Sequence, residues 1–320
     1  MIVNLFKTID PRSGGLSLAF SFMLVLWIDF CKAFGLGSTI DFVQTFLYWG
    51  VFALVILSIA LLERDKKGSK MEGIHLIVFP VLLLFFPRIE NAETTTLVLG
   101  FLLIFGQHIF SNAADPKKTT KNLLDSSIFI SILAQFNGFY GFFYLLPLST
   151  LIRNKQYDLK NILVLLLPVF LIPYTLTGIQ LVLPPHWLAG LDLQVQGHLL
   201  ELTQLTLGDI LWMGVLFLAL MGAIFKIPKA HEKLAFPRRA MAQIYMSFWL
   251  FFGVIQTLFG LYTSADRWLL TFVPAAYFIG LMMASIPSDR LKNAVLLGGL
   301  LAGVLFKVLD TGMVSFPWTV

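Results

Sequence analysis

Lysine and arginine are confined to short gaps between the apolar segments of this chain. A single transmembrane topology places 19 of the 23 basic residues in loops on the same side of the membrane. Because positively charged loops of membrane proteins stay in the cytoplasm, this pattern predicts a polytopic integral membrane protein. Hydrophobic residues make up 58% of the sequence and charged residues 13%, whereas a soluble domain has about 25% charged residues. The basic gaps are 1–15, 63–73, 114–122, 152–160, 226–239 and 287–292.

The apolar segments have the length of membrane-spanning helices. A hydrocarbon core about 30 Å thick needs roughly 20 helical residues. The sequence therefore predicts an all-α transmembrane bundle that forms a single integral membrane domain over residues 1–320. The long segments are 16–35, 43–62, 161–183, 209–226, 240–262, 268–286 and 293–309.

Two stretches are predicted to fold as hairpins of short helices. Residues 74–87 and 95–111 are each too short for a normal span, and 125–152 is one apolar run interrupted near Asn137 and Gly138. Treating both stretches as hairpins keeps every basic gap inside, whereas one tilted span over 125–152 would export a basic loop. The resulting prediction has about eleven membrane segments, with the N-terminus inside and the C-terminus outside.

Two further segments are predicted to lie along the membrane surface. Residues 1–15 form an N-terminal interfacial segment, and 184–208 form an extracytoplasmic amphipathic loop. The basic residues are dispersed among loops, which favours contacts to phospholipid head groups and argues against a nucleic-acid partner.

Ionisable residues near the apolar spans are the first candidates for chemistry, because leaving them unpaired in hydrocarbon is costly. Asp29 and Asp41 bracket the outer end of the first span, where a carboxylate could act as a catalytic base. An ion pair between Asp29 and Lys32, three residues apart on a helix, is the alternative. Arg88, at the predicted hairpin tip, could hold a phosphate with two hydrogen bonds or be a solvated turn charge.

The bend of the second hairpin is the predicted ligand-binding position. Gln135, Asn137 and Tyr140 place polar groups there, within the membrane. Broken helices at that depth are tolerated only where they are buried in protein or face a watery cavity.

The sequence predicts no metal site and no cofactor. The single cysteine, Cys31, excludes an intramolecular disulfide and any multi-thiolate cluster. Zinc-protease, nucleophile-elbow, phosphate-loop and prenyl-diphosphate motifs are absent. One set of metal-ligand residue types has spacings that match no established site, and its members are His186, Asp192, His198 and Glu201.

Three blocks of the first half carry a family resemblance. They are Met1-Ile2 with Phe6-Lys7 and a proline at 11, Leu-Leu-Phe-Phe-Pro at 83–87, and the run from 109 to 133. These blocks resemble an uncharacterised family of polytopic inner-membrane proteins of Bacteroidota, a domain of unknown function. The resemblance implies a bacterial inner (cytoplasmic) membrane and a role in the cell envelope, without catalytic residues to transfer.

A second resemblance is topological. A first span, an outer connection with an acidic residue, a returning span and pairs of short helices are similar to the core of polyprenyl-phosphate-sugar-dependent membrane glycosyltransferases. In those enzymes the first outer loop carries a catalytic acid, a place that Asp41 or Asp29 would occupy here. This chain departs from them in its short first outer loop.

The combination favours a non-catalytic membrane subunit or scaffold of a Bacteroidota cell-envelope machine, in protein export or surface-glycan assembly, with other membrane subunits as partners. One alternative is a glycosyltransferase-like enzyme that uses a lipid-linked sugar at the outer face of the inner membrane. A lipid or small-molecule transporter is the second alternative. A glycine-rich patch at 298–303 is suited to close helix packing, either with a partner or within the monomer.

Overall fold

The structure is a computed structural model, and its described residues are almost entirely helical. Those residues are 11–36, 45–46, 49–50, 53, 74–85, 119–136, 138–153, 155–156, 158–182, 207–232, 237–258 and 268–310. Three predicted features lie outside them: the interfacial segment before residue 11, the short helix at 95–111, and the loop at 184–208 up to residue 206. The last two residues of that loop begin α6. The helices are α1 (Pro11–Leu36), α2 (His75–Leu83), α3 (Thr119–Phe136), the 3₁₀ helix η1 (Gly138–Tyr144), α4 (Leu145–Arg153), α5 (Leu159–Val182), α6 (Leu207–Glu232), α7 (Pro237–Leu258), α8 (Leu269–Ala284) and α9 (Asp289–Asp310).

Four of these helices are long and apolar enough to cross a membrane, which makes the chain an all-helical membrane protein. Two shorter apolar stretches, Gln243–Ile255 and Thr271–Ala284, lie in α7 and α8. The predicted span at 43–62 is described at only five positions. The four long stretches are Arg12–Phe30, Leu159–Ile179, Gly208–Phe225 and Asp289–Leu309.

Helix α8 lies at the centre of the main bundle. It packs against α2, α6 and α7, and α2 in turn contacts α1 and α9. Every residue from Thr271 to Phe278 is buried, which fits a helix that is apolar on nearly all sides. Phe272 joins two neighbours, because its ring contacts Phe79 of α2 at 4.7 Å and Trp212 of α6 at 5.5 Å between centroids.

Small residues bring α2 close to its two other neighbours. Ser17 of α1 is buried and donates a hydrogen bond to the backbone carbonyl of Leu76 in α2. On the opposite side, a Cβ added to Gly303 of α9 would lie 2.6 Å from the Cβ of Leu84. Close approach of this kind is how membrane helices gain packing energy when lipid is as apolar as their side chains.

Helices α3 to α5 form a second unit, which we call the hairpin unit. The chain reverses after α3, where the sequence predicts a hinge, and Tyr144 returns beside Ser127. Farther along, Leu123, Leu151 and Leu165 pack together in a small separate cluster. The unit joins the main bundle through Phe143, which contacts the Tyr245, Phe248 and Phe252 rings of α7.

The end of α4 has the hydrogen bonds of a Schellman motif. The Gln156 N–H bonds to the Leu151 carbonyl at 3.0 Å, and the Lys155 N–H bonds to the Ile152 carbonyl at 3.1 Å. Lys155 takes the left-handed conformation, with φ of 54°, at the position that glycine usually fills. The sharp stop lets α5 begin within a few residues and pack against α3 and α4.

Candidate functional site

A buried polar cluster joins the first turns of α6 and α8. We call it the tryptophan cluster, and it consists of Asp209, Trp212, Trp268 and Thr271. The Trp268 indole N–H donates to Asp209 Oδ1 at 2.6 Å, and the Trp212 indole N–H donates to Thr271 Oγ1 at 2.9 Å. The Thr271 hydroxyl donates in turn to the Trp268 carbonyl at 2.6 Å. All four side chains are buried.

The spacing of these residues explains why the four meet. Asp209 and Trp212 are three apart on α6, and so are Trp268 and Thr271 at the start of α8, so each pair presents one face of its helix. Helices α6 and α8 run parallel, because Trp212 meets Thr271 at one end and Gly222 meets Met282 farther along. A carboxylate in the first turn of α6 also interacts favourably with the positive end of the helix dipole.

The hydrogen bonds of the tryptophan cluster hold α6 and α8 together. Both indole N–H groups are used inside the cluster, and the buried Asp209 carboxylate accepts a strong charge-assisted hydrogen bond. A buried carboxylate is tolerated in an apolar bundle only when such partners offset its desolvation. The arrangement therefore fixes the two helix starts relative to each other.

A second polar cluster lies inside the hairpin unit, and we call it the serine–tyrosine cluster. Its members are Ser127, Ser131 and Tyr144. The Tyr144 hydroxyl donates to the Ser127 carbonyl at 2.7 Å and also contacts both serine hydroxyls. Ser127 also hydrogen-bonds to the Leu165 carbonyl of α5. Three helical segments are thus joined through one tyrosine and two serines.

The described partners of the serine–tyrosine cluster are tyrosine and backbone groups. Activation of a serine hydroxyl needs a general base within hydrogen-bond reach. Among the described residues, Ser127 and Ser131 bond only to tyrosine and to backbone groups. The cluster therefore acts as a structural connection between α3, η1 and α5.

Of the ionisable residues that the sequence predicts as candidates near the first spans, Asp29 is described and the others are not. Asp29 is half-buried near the end of α1 and accepts a hydrogen bond from the Thr45 hydroxyl. The Lys32 side chain, its predicted ion-pair partner, lies outside the described residues. Asp41, Arg88 and Asn137 lie outside them as well, so their predicted roles stay predictions.

Two residues of the predicted ligand site, Gln135 and Tyr140, are described, and they lie in different surroundings. Gln135 is half-buried, and its amide reaches the Ser131 carbonyl one turn back at 3.5 Å. Tyr140 is buried within the large hydrophobic core, with its ring 6.4 Å from that of Phe143. The structure therefore places Tyr140 in packed protein at the chain reversal.

Two buried lysines lie at opposite ends of α9. Lys292 is in its first turns and Lys307 in its last turn, where the negative end of the helix dipole favours a cation. The Lys307 ammonium also lies 5.7 Å from the centroid of the Phe306 ring, within the range of a cation–π interaction. The side chain of Asp310, the predicted partner of Lys307, is not among those described.

The described part of the chain contains no group of three or more His, Cys, Asp or Glu that could hold a metal ion. The four metal-ligand residue types at 186–201 lie outside it. One buried donor in that part has no partner: the Trp249 indole N–H of α7. This single unpaired donor does not define a site by itself.

An apolar groove runs between α6, α8 and α9 at the end opposite the tryptophan cluster. Its volume is about 630 Å³, which falls within the usual range of ligand pockets. Gly222 and Met283 are buried at its floor, while Leu218, Phe225 and Val295 are exposed at its rim. Ser285 also lines the groove, and its hydroxyl donates to the Met282 carbonyl at 2.6 Å.

Sequence reasoning did not identify Asp209 or its two tryptophans. The available signal was an acidic residue at the first turn of a predicted span, followed three residues later by a tryptophan. The partners come from another segment, since each bond joins residues 59 positions apart. Comparison of the chain with protein-family models, curated proteins and solved structures gives no match.

Proposed function

We propose that this protein is a non-catalytic subunit or scaffold of a cell-envelope machine in the inner membrane of a Bacteroidota cell, acting in protein export or surface-glycan assembly. The observation that carries the proposal is the packing of its interior. The largest fully buried side chains are aromatic or aliphatic, apart from Lys307. Transport would require a polar path through the bundle, and the described interior is filled by side chains such as Trp212, Phe272 and Phe278.

Helix α5 supports a role in binding other membrane proteins. Only its N-terminal half contributes buried residues, and none of the residues from 169 to 179 is buried. The stretch from 169 to 179 exposes Phe170 and Tyr174 along with several aliphatic side chains. An apolar helix that extends beyond its own bundle offers a surface for a partner span as well as for lipid.

Helix α9 has two small-residue faces with different roles. Gly303 and Gly299 face α2, where they meet Leu84 and Val81. Gly298 and Ala302 are exposed, and a Cβ at Gly298 would meet nothing within 4 Å. The glycine-rich patch therefore packs within the monomer on one face and supports partner packing on the other.

The test is to purify the tagged protein from its native membrane in mild detergent. We expect a stoichiometric partner by mass spectrometry, and a photoreactive residue at Phe170 or Leu301 should cross-link to it. Leu16, an exposed apolar position of α1, serves as the matched control. A monomeric preparation with only lipid adducts at both positions would contradict the proposal.

Two α9 variants separate partner binding from folding. Gly298→Leu combined with Ala302→Leu should lower partner recovery at an unchanged protein level, because both positions are exposed. Gly303→Ala should instead destabilise the monomer by about 1–3 kcal/mol, since its new methyl group overlaps Leu84. Equal loss of partner in both variants, with no change in stability, would contradict this assignment of faces.

The glycosyltransferase-like alternative depends on Asp41 and Arg88, which lie outside the described residues, and on Asp29, whose described partner is Thr45. In that mechanism Asp41 or Asp29 would be the general base and Arg88 would hold the phosphate of a lipid-linked sugar. If the protein is a non-catalytic subunit, a reconstituted assay with the Asp41→Asn or Arg88→Ala variant should yield the same glycan product as an assay with the native chain. Loss of glycan labelling in both variants at normal protein level and normal partner recovery would favour the enzyme.

A further inference from the structure

The apolar groove between α6, α8 and α9 opens toward the membrane. Leu218, Phe225 and Val295 at its rim are all exposed, so its mouth faces the surroundings of the bundle. These rim residues lie on helices that are long and apolar enough to span a membrane. The groove is therefore accessible to an acyl chain, and its lining offers apolar contact along the whole floor.

The shape of the floor depends on Gly222. A Cβ at this position would lie 2.7 Å from the sulfur of Met282, so any larger residue would displace that side chain. Met282 and Met283 are flexible thioethers, which adapt to an irregular apolar ligand better than branched side chains do.

The helix ends beside the groove carry an excess of positive charge. Phe225 is followed within α6 by Lys226 and Lys229, and Val295 is preceded within α9 by an exposed Arg290 and a buried Lys292. Against these cations the same helix ends carry Glu232 and Asp289.

We propose that this groove binds one acyl chain of an anionic phospholipid, whose head group lies at the basic end beside Arg290. The apolar floor takes the chain, and the charge excess selects the head group. Basic pockets between membrane helices bind anionic lipids through this combination. Ser285 lines the groove four residues before α9 begins, and it is exposed with its hydroxyl bonded to the Met282 carbonyl.

The experiment is native mass spectrometry of the full chain in detergent, with added dioleoyl-phosphatidylglycerol or dioleoyl-phosphatidylcholine. We expect one retained phosphatidylglycerol per chain and a preference for it of at least about fivefold. Arg290→Gln should lower that preference about fivefold, which corresponds to about 1 kcal/mol for one basic residue at the membrane surface. Arg12→Gln, an exposed arginine at the start of α1, is the charge-matched control and should not change it.

A second pair of variants tests the groove itself. Val295→Trp fills the rim and should abolish retention of both lipids, whereas Leu309→Trp on the same helix should not. The two positions are similarly exposed, at 47% and 43%. No preference in the native chain, an equal effect of Arg12→Gln, or equal loss in both tryptophan variants would overturn the proposal. Arg290 is exposed, so its variant remains informative even if Val295→Trp fails to fold.

Discussion

The main bundle and the hairpin unit hold apolar helices together in different ways. Around α8, the contacts are largely aromatic: the ring of Phe272 meets that of Phe79 edge to face and stacks on that of Trp212. Between α3 and α5, the contacts are hydroxyl groups, with Ser127 bonded to Tyr144 and to the Leu165 carbonyl. The bundle therefore combines filled volume with the hydrogen bonds of the tryptophan cluster at one end, whereas the polar contacts of the hairpin unit run along the α3–α5 contact itself.

The difference follows from what each region must achieve. Helix α8 is surrounded by neighbours, so large side chains can be buried on every side. Among the described residues, helix α5 packs chiefly against α3 and α4 and leaves most of its surface exposed. Helix α5 packs extensively against one face of α3, and hydrogen bonds within apolar surroundings help to fix its position there.

The largest expected effect is at the centre of the bundle. Trp212→Ala removes a fully buried indole that stacks on Phe272 and bonds to Thr271. We expect a loss of about 3–5 kcal/mol in the free energy of unfolding, the usual cost of an aromatic cavity. Unfolding in mixed detergent micelles measures it, with the neighbouring, exposed Leu211→Ala as control. Equal losses would mean that filled volume does not hold the bundle.

A smaller effect is expected for the carboxylate bond of the tryptophan cluster. Trp268→Phe keeps most of the ring and removes the N–H that donates to Asp209, so we expect a loss of about 1.5–3 kcal/mol. A double-mutant cycle with Asp209→Asn, measured in the same micelles, isolates the bond from the ring. Strictly additive effects of the two substitutions would show that the two side chains are not coupled.

The smallest expected effect is in the hairpin unit. Tyr144→Phe removes the hydroxyl that bonds to the Ser127 carbonyl and to both serine hydroxyls. The expected loss is about 0.5–1.5 kcal/mol. Faster proteolysis or hydrogen exchange should be confined to α3 and α5. Tyr174→Phe, at a position 79% exposed, is the matched control, and an equal change there would remove the contrast between the two regions.

The positions of the helices could be predicted from the sequence because apolar length is a local property. The segment predicted at 161–183 corresponds to helix α5, and the one at 209–226 lies within α6. The reversal near residue 137 was also predictable, since polar residues and a glycine interrupt an apolar run there. The count of about eleven membrane segments and the orientation of the termini remain predictions.

The candidate sites were predicted less well, because ionisable residues near apolar spans do not reveal their partners. Asp29 accepts a hydrogen bond from Thr45 of another segment, a contact that its spacing from Lys32 did not indicate, and the predicted pairing with Lys32 stays a prediction because that side chain lies outside the described residues. The buried hydrogen bond at Asp209 requires Trp268, which is 59 positions away in the sequence. No local pattern connects those two positions.

The sequence by itself determined that this chain forms apolar helices of membrane-spanning length, and where most of them begin and end. Only the tertiary structure decided which face of each helix is buried. Several of these helices are apolar on nearly all sides, so periodicity along the sequence carries little information about direction. The choice was made by small residues that permit close approach, such as Ser17 and Gly303, and by hydrogen bonds between distant segments, whose energy is realised only when the helices meet.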